Sequence, residues 1–212
     1  MKRLFPVILA LALSASIGKA ELTFGVGPHL GVSFSSFQKP ADEFYGTGFL
    51  FGAHGDVMIL PFLTTRLSLD YSIFSSDKDK LKSDLFLPFF QMQQPGIDPA
   101  AISVEGANVS IFSVYVDGKG RIATGGPVTP YGLLGLGLNF VSTSEGTGFN
   151  QGQAAATLPS SSSTDFGLNF GAGAEFLLNP VILYMEFKYG LVFTSPSSGG
   201  TIPIVVGATF PL

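Results

Sequence analysis

The 212-residue sequence predicts an all-β fold in which eight antiparallel strands close into an up-and-down barrel. Two observations lead to this expectation: apolar residues alternate with small or polar residues along most of the chain, and tight turns alternate with long polar connections. The alternation is clearest over residues 201–212, where every second residue from Ile202 to Leu212 is apolar. Alternation with a period of two residues is typical of a strand with one apolar face.

Eight segments share this alternation and are the predicted strands: 22–35, 47–60, 64–74, 107–122, 130–141, 165–178, 181–194 and 201–212. The start of the fourth is ambiguous, because Val109 and Ile111 fall out of phase with Phe112 and Val114, which suggests a β-bulge. Long connections are expected at 37–46, 75–106 and 142–164, and a shorter one at 195–200. Tight turns are expected at 60–63, 124–127 and 179–180. No segment has a clear helical period, and one domain accounts for the chain.

The composition excludes several classes of protein. Hydrophobic residues make up 46% of the chain and charged residues only 12%, whereas about a quarter of residues are charged in an ordinary soluble domain. No stretch reaches the roughly 18 consecutive apolar residues of a membrane-spanning helix. The chain has no cysteine, which excludes disulfides and thiolate chemistry. No basic cluster exists, so we expect no nucleic-acid partner.

Residues 1–20 read as a secretory signal peptide. Lys2 and Arg3 precede an apolar run from Leu4 to Ile17, and small residues at Gly18 and Ala20 suit cleavage after Ala20. The alternative is an uncleaved anchor helix, for which the apolar run is short. We therefore expect a barrel domain over residues 21–212.

Three features favour a transmembrane barrel, with its apolar face toward lipid, over a soluble lipocalin-like barrel. The polar face of the strands carries mostly Gly, Ser and Thr, whereas a solvated face normally carries many Lys and Glu. The strands are long enough to cross a bilayer at the tilt of a barrel. Long connections at one rim and tight turns at the other are typical of outer-membrane barrels, which carry apolar residues outside and polar residues inside.

The strand motifs resemble those of the small eight-stranded outer-membrane β-barrel family, which includes the OmpA transmembrane domain and OmpW-like proteins. The similar stretches are Pro130-Tyr131-Gly132 and the run from Gly167 to Phe176, which reads GLNFGAGAEF. The resemblance covers essentially the whole mature chain. It implies a porin-like barrel in the cell envelope of a Gram-negative-type bacterium, in contact with outer-membrane lipids. It implies no activity, because these motifs specify a fold.

The last strand resembles the family's assembly signal, carried here by Gly207, Phe210 and Leu212. The resemblance implies that this strand addresses the chain to the barrel-assembly machinery. The sequence departs from the family pattern at two positions: Leu212 stands where an aromatic residue is usual, and Val205 stands where a polar residue is usual.

The predicted inward face collects nearly balanced charges and two histidines. An eight-stranded barrel is just wide enough for side chains to fill it, so we expect a lumen network of ion pairs and hydrogen bonds. The alternative is a narrow polar conduit, for which balanced charge argues against strong ion selectivity. The predicted members are Asp56, Arg66, Asp70, Asp117, Lys119, Arg121, Glu175, Glu186, Lys188, His29 and His54.

The histidines lie on adjacent predicted strands and are expected to be near neighbours. Two histidines alone make a poor metal site, because a third or fourth ligand is needed; Asp56 is the candidate for a third. We expect the histidines to fill the lumen, with no metal and no cofactor, and the alternatives are metal binding, pH sensing and catalysis. Some outer-membrane barrels modify lipids and need a nucleophile and a base near the membrane rim. No Ser-His-acid arrangement is evident here, so we expect no enzyme.

The predicted function is that of a structural or surface protein whose loops serve adhesion or envelope integrity. A host or surface ligand is expected at loops 75–106 and 142–164. The apolar cluster 85–90 in the first of these folds back on the rim, covers a lateral opening as a lid, or forms an adhesive patch. The alternative function is a passive channel for small or hydrophobic solutes, and a weaker one is lipid modification.

Overall fold

The computed structural model describes residues 23–36, 41–193 and 198–212. The strands of these ranges, in chain order, are β1 (Thr23–Ser35), β2 (Thr47–Leu60), β3 (Leu63–Phe74), β4 (Ile102–Gly106), β5 (Val109–Arg121), β6 (Val128–Thr143), β7 (Gly146–Asn150), β8 (Gln153–Leu158), β9 (Ser161–Leu178), β10 (Val181–Phe193) and β11 (Ser198–Pro211). The predicted signal peptide, residues 1–20, lies outside the described ranges.

Eight of these strands close into one barrel, which confirms the predicted fold class. The neighbours around the wall are β1, β2, β3, β5, β6, β9, β10 and β11, and β11 returns to β1. All pairs are antiparallel, as an up-and-down barrel requires. The closing seam runs from the Gly25–Pro211 pair to the Ser35–Thr201 pair, so the sheet has no free edge.

The wall presents apolar side chains outward along every strand. Phe51, Leu134 and Phe187 are examples, with 46%, 59% and 53% of their surface exposed. Because side chains alternate across a strand, the residues between them point into the barrel, and most of those are polar and buried. Within the described residues, no helix is both long enough and apolar enough to cross a membrane.

The fourth predicted strand has no bulge. β5 keeps continuous register with β3 and with β6 over its whole length. Val109 and Ile111 point inward and pack with Phe74 into an apolar layer at the loop end of the barrel. Val109 and Ile111 are therefore inward-facing residues at the level where the barrel interior changes from polar to apolar, and they do not mark a bulge.

The segment 75–106, predicted to be irregular, is largely folded. It contains α2 (Lys78–Leu81), a π-helical turn (Lys82–Phe86), α3 (Leu87–Gln93), a 3₁₀ turn (Pro99–Ala101) and β4; a short α1 (Ala41–Phe44) lies in the preceding loop. The buried residues Leu81, Phe86 and Phe90 are spaced by five and four positions. The π-helical turn produces the wider spacing, which breaks the 3.6-residue period expected of a helix.

Residues 142–164, predicted as a single loop, are mostly strand. β6 extends to Thr143 and β9 begins at Ser161, so their pairing continues from Val128–Phe176 to Thr143–Ser161. The extension carries Ser and Thr with exposed side chains on both faces, which removes the alternation that marks a half-buried strand. β7 and β8 fill the rest of this segment.

Candidate functional site

The barrel interior brings together all eleven residues of the predicted lumen network. Ten of them are buried, and Arg121 is partly exposed near the turn end of the barrel. Each lies on the inward face of its strand, between residues whose side chains point outward. Charged groups this deeply buried require partners, because an unpaired charge in a low-dielectric interior is strongly unfavourable.

The turn-end half of the network is a chain of shared carboxylates. Arg66 Nε and Nη2 donate to the two oxygens of Asp56 at 2.7 and 3.0 Å. Lys119 Nζ donates to Asp56 Oδ2 at 2.9 Å and to Glu175 Oε1 at 2.7 Å. Arg121 Nε lies 2.9 Å from Glu175 Oε2. Each of the two carboxylates is therefore shared by two cations.

A second group continues the network toward the middle of the barrel. Glu186 Oε2 accepts from Tyr131 Oη at 2.8 Å and from Arg66 Nη1 at 3.1 Å. Lys188 Nζ lies 3.4 Å from both Glu186 Oε1 and Asp70 Oδ2. These contacts thus form one connected chain of ion pairs from Arg121 to Asp70. Asp117 lies outside this chain and accepts a hydrogen bond from Ser68 Oγ at 3.3 Å.

The two histidines are neighbours, with ring centroids 5.7 Å apart. His29 Nε2 lies 2.6 Å from Asp70 Oδ1. His54 Nε2 lies 2.9 Å from Thr209 Oγ1, and its Nδ1 lies 3.2 Å from Tyr184 Oη. Neither ring bridges a hydroxyl and a carboxylate, which is the arrangement that would activate a nucleophile. The described residues contain no group of three or more His, Asp or Glu that could hold a metal ion.

Aromatic and amide side chains complete the network and were not among the predicted site residues. Tyr184 packs under Arg66, whose Cζ lies 4.7 Å from the ring centroid. The Tyr131 ring lies in the same way under Lys119, whose Nζ is 5.0 Å from the ring centroid. Asn139 exchanges hydrogen bonds with Tyr115. The signal that could have found them is their phase, because all lie on the inward face of an alternating strand.

Apolar layers close the interior toward the loop end. Leu50, Tyr184 and Val205 pack together across the lumen, and the layer of Phe74, Val109 and Ile111 lies beyond them. Phe74 has no exposed surface. A cavity of about 30 Å³ remains between polar side chains near Asn139 and Asn169, which is room for one water molecule. From the ion network to the loop end, the described interior is therefore filled.

Gly135 provides space for the network, and its replacement tests how tightly the interior is packed. A Cβ on Gly135 would lie 1.8 Å from Asp117 Oδ1 and 2.6 Å from Asn169 Oδ1. We expect Gly135→Ala to lower the free energy of unfolding by about 1–3 kcal/mol, because an overfilled core shifts its side chains. Urea unfolding of the refolded protein measures the loss.

Gly132→Ala on the same strand is the matched control for Gly135→Ala. A Cβ there faces lipid, and its nearest neighbour would be 3.9 Å away. Equal stability of the two variants would contradict the tight packing around Asp117.

A second candidate region is the loop domain, defined here as residues 78–106 and 146–158. β4 pairs with β7 from Ile102–Asn150 to Gly106–Gly146, and β7 pairs with β8. The two loops predicted to bind a ligand are therefore one folded unit. Its core contains Leu81, Phe86, Phe90, Ile97, Ile102 and Val104, and Ala107, just after β4, completes it. The Phe86 ring occupies the space that a side chain at Gly148 would need.

The helical segment of the loop domain is apolar on both faces. Leu81, Phe86 and Phe90 point into the core. Leu85, Phe89 and Met92 lie on the opposite face, with 40%, 40% and 78% of their surface exposed. This exposed face, Leu85–Phe89–Met92, is an apolar patch outside the barrel. Cluster 85–90 thus divides between a core and an open surface.

Comparisons with known proteins agree with this architecture. A family model described as outer membrane protein beta-barrel domain matches residues 4–206. A search of curated protein sequences finds no match. Among solved structures, Neisserial surface protein A is 18% identical over 88% of this chain and 96% of its own, with a TM-score of 0.56. A major outer membrane protein from Thermus thermophilus is 16% identical over 91% of this chain and 100% of its own, with a TM-score of 0.55. OprG from Pseudomonas aeruginosa is 13% identical over 91% of this chain and 96% of its own, with a TM-score of 0.51.

A closed antiparallel barrel with an apolar outer wall and a filled polar interior defines the class of small outer-membrane barrels. The chain belongs to the outer membrane protein β-barrel domain family. At these identities, the likeness to the solved structures concerns the fold alone.

Proposed function

We propose that this protein is a non-conducting, non-enzymatic anchor that presents the loop domain outside the cell for adhesion. The observation that carries the proposal is the loop domain itself, which has its own core and an exposed apolar face. In outer-membrane barrels the long loops face outward and the short turns face the periplasm. The partner is a surface with apolar groups, since an exposed apolar patch on a folded protein marks an interaction site.

The filled interior supports an anchor more than a channel. Lys119 in the turn-end half, Asp117 in the middle and Phe74 at the loop end of the barrel have 0%, 2% and 0% of their surface exposed. A continuous pathway would require breaking several charge-assisted hydrogen bonds and displacing an apolar layer. We therefore expect no discrete conductance steps when the refolded barrel is inserted into planar bilayers, under conditions where a general porin conducts.

Adhesion is tested on cells that express the protein with substitutions in the exposed face. Phe89→Ser together with Met92→Ser makes this face polar and leaves the buried Phe86 and Phe90 in place. We expect attachment of the bacteria to host cells or abiotic apolar surfaces to fall, while the amount of heat-modifiable protein in the envelope stays constant. Lys80→Ser, at an exposed polar position of the same segment, is the control. Unchanged attachment by the double variant, or steady channel openings by the barrel, would contradict the proposal.

A further inference from the structure

The turn end of the barrel holds a cavity of about 520 Å³ that the proposed anchor function does not use. Its lining includes Met58, Phe62, Arg121, Glu175, Leu177 and Ile182. We call this space the vestibule. Its size falls within the range of pockets that hold small molecules.

The vestibule is the open end of the barrel interior and not a groove on its lipid face. Met58, Leu177 and Ile182 lie two positions along their strands from Asp56, Glu175 and Tyr184, which point inward and are buried. Residues two apart on a strand share a face. The Pro61–Phe62 turn and the 123–125 segment form its rim. The space is thus lined mainly by apolar side chains, of which Phe62 and Leu177 are 58% and 51% exposed, and it opens at the short turns, on the periplasmic side.

The inner end of the vestibule carries one cationic group, Arg121, beside the carboxylate of Glu175. Arg121 and Glu175 line it, directly below the ion network. Arg121 Nη2 donates to Glu175 Oε1 at 3.2 Å, while Arg121 Nε lies 2.9 Å from Oε2 without the alignment of a hydrogen bond. Nε is buried, and Nη1 has no hydrogen-bond partner among the described residues, so Nη1 keeps donor capacity for a further acceptor. The Arg121 side chain is 12% exposed, whereas those of Arg66 and Lys119 are 3% and 1% exposed.

Arg121 has fewer carboxylate neighbours than the other cations of the network. Glu175 serves Lys119 at 2.7 Å as well as Arg121. Asp56, the other carboxylate at this end, is held by Arg66 and Lys119. Arg66 and Lys188 share Glu186, and Lys188 also contacts Asp70, so four cations alternate with four carboxylates and the inner three cations each have two carboxylate neighbours. Arg121 ends this chain of ion pairs with one carboxylate neighbour, Glu175, at the point where the network meets the vestibule.

We propose that the vestibule binds a single-chain carboxylate amphiphile, such as a medium-chain fatty acid, with the carboxylate on Arg121 and the acyl chain along Met58, Leu177 and Ile182. A guanidinium with free donors pairs with carboxylates through strong, charge-assisted hydrogen bonds. The apolar walls bury methylene groups, each of which contributes about 0.8 kcal/mol. A two-chain phospholipid fits poorly, because the interior of an eight-stranded barrel is only as wide as its side chains.

The methionines allow a direct test, since each described methionine occupies a different environment. Met58 lines the vestibule, Met185 faces lipid on the barrel wall, and Met92 lies on the exposed face of the loop domain. The protein is labelled with ¹³C-methyl methionine, placed in nanodiscs and titrated with dodecanoate. We expect a saturable shift of the Met58 signal, no shift of Met92, and at most a non-saturable drift of Met185 from dodecanoate in the bilayer.

Three comparison ligands distinguish the binding of a single-chain carboxylate in the vestibule from the binding of an uncharged ester, a free anion or a two-chain lipid. Methyl dodecanoate, which lacks the charge, is expected to bind at least about 10-fold more weakly. Inorganic phosphate alone and phosphatidylglycerol in the nanodisc are expected to leave Met58 unshifted. A Met58 shift of equal midpoint with the methyl ester, or one that follows Met185 without saturation, would overturn the proposal. A Met58 shift caused by phosphatidylglycerol would overturn the choice of a single-chain ligand.

Three variants at two positions locate the site. Arg121→Gln is expected to weaken dodecanoate binding at least about 10-fold, and Arg121→Lys to restore part of it. Ile182→Trp fills the vestibule and leaves every charge in place, so we expect it to abolish the Met58 shift even if Arg121→Gln folds poorly. Heat modifiability on gels reports folding of each variant. Unchanged affinity in both Arg121→Gln and Ile182→Trp would exclude the vestibule as the site.

Discussion

Replacing Arg66 with Leu is expected to lower the free energy of unfolding by about 3–5 kcal/mol, because it leaves buried carboxylates without their main partner. Arg66 holds both oxygens of Asp56, reaches Glu186 at 3.1 Å and packs on the Tyr184 ring. Its side chain is 3% exposed, so water cannot substitute for it. Urea unfolding of the protein in lipid vesicles, followed by the heat-modifiable gel shift, measures the loss.

A double variant separates the effect of the lost charge on stability from the effect of the lost packing at position 66. Arg66→Leu combined with Asp56→Leu removes the pair together, and Lys119 keeps Glu175 as a partner. Replacing a whole buried ion pair by apolar residues is often neutral, so we expect the double variant to recover most of the stability. A loss below about 1 kcal/mol in Arg66→Leu would mean that the pair behaves as a solvated surface pair. Lys80→Leu, at an exposed position, is the control for added apolar area.

Replacing Phe86 with Ala is expected to unfold the loop domain while the barrel stays intact. Truncating a buried Phe costs about 3–5 kcal/mol, and the loop domain core is small. Phe86 is 3% exposed and packs on β7 at Gly148 and on the Phe90 ring. Limited proteolysis should therefore cleave within residues 78–106 or 146–158 of the variant at protease concentrations that leave the parent protein whole.

Phe89→Ala is the matched control, since the same change falls on the exposed face of the neighbouring helix. We expect it to change stability by less than about 0.5 kcal/mol. The barrel of both variants should keep its heat-modifiable migration. If Phe86→Ala resists protease as well as Phe89→Ala does, the loop domain lacks the core described above.

The barrel was predictable because the sequence pattern that specifies each strand is local. Each strand must turn one face to lipid, so an alternating pattern such as 166–176 appears in the sequence without any knowledge of its neighbours. The same alternation places Asp56, Arg66 and Lys119 inside. It says nothing of which carboxylate each cation contacts, because that depends on the stagger between strands and on side-chain length.

The loop domain was not predictable in the same way. β4 and β7 are short, and they pair although all of β5 and β6 lies between them in the chain, so no local pattern marks either. The helix carries apolar residues on both faces and a π-helical turn at Lys82–Phe86, so its period is obscured. Val109 and Ile111 led to the wrong prediction of a β-bulge for a related reason. The period-two rule assumes one polar and one apolar face, and both faces of β5 are apolar at its loop end.

The long β6–β9 hairpin has a mechanical consequence. β7 and β8 lie between these two strands in the chain, so a pull on this part of the loop domain is transmitted to β6 and β9 together. Within the membrane both strands are held by outer neighbours, from Val109–Thr143 to Arg121–Tyr131 on one side and from Val181–Leu178 to Phe193–Phe166 on the other. A force along the strands loads these ladders in shear, so the hydrogen bonds of each ladder share the load and do not open one after another. The barrel is therefore suited to resist a pulling force on the loop domain.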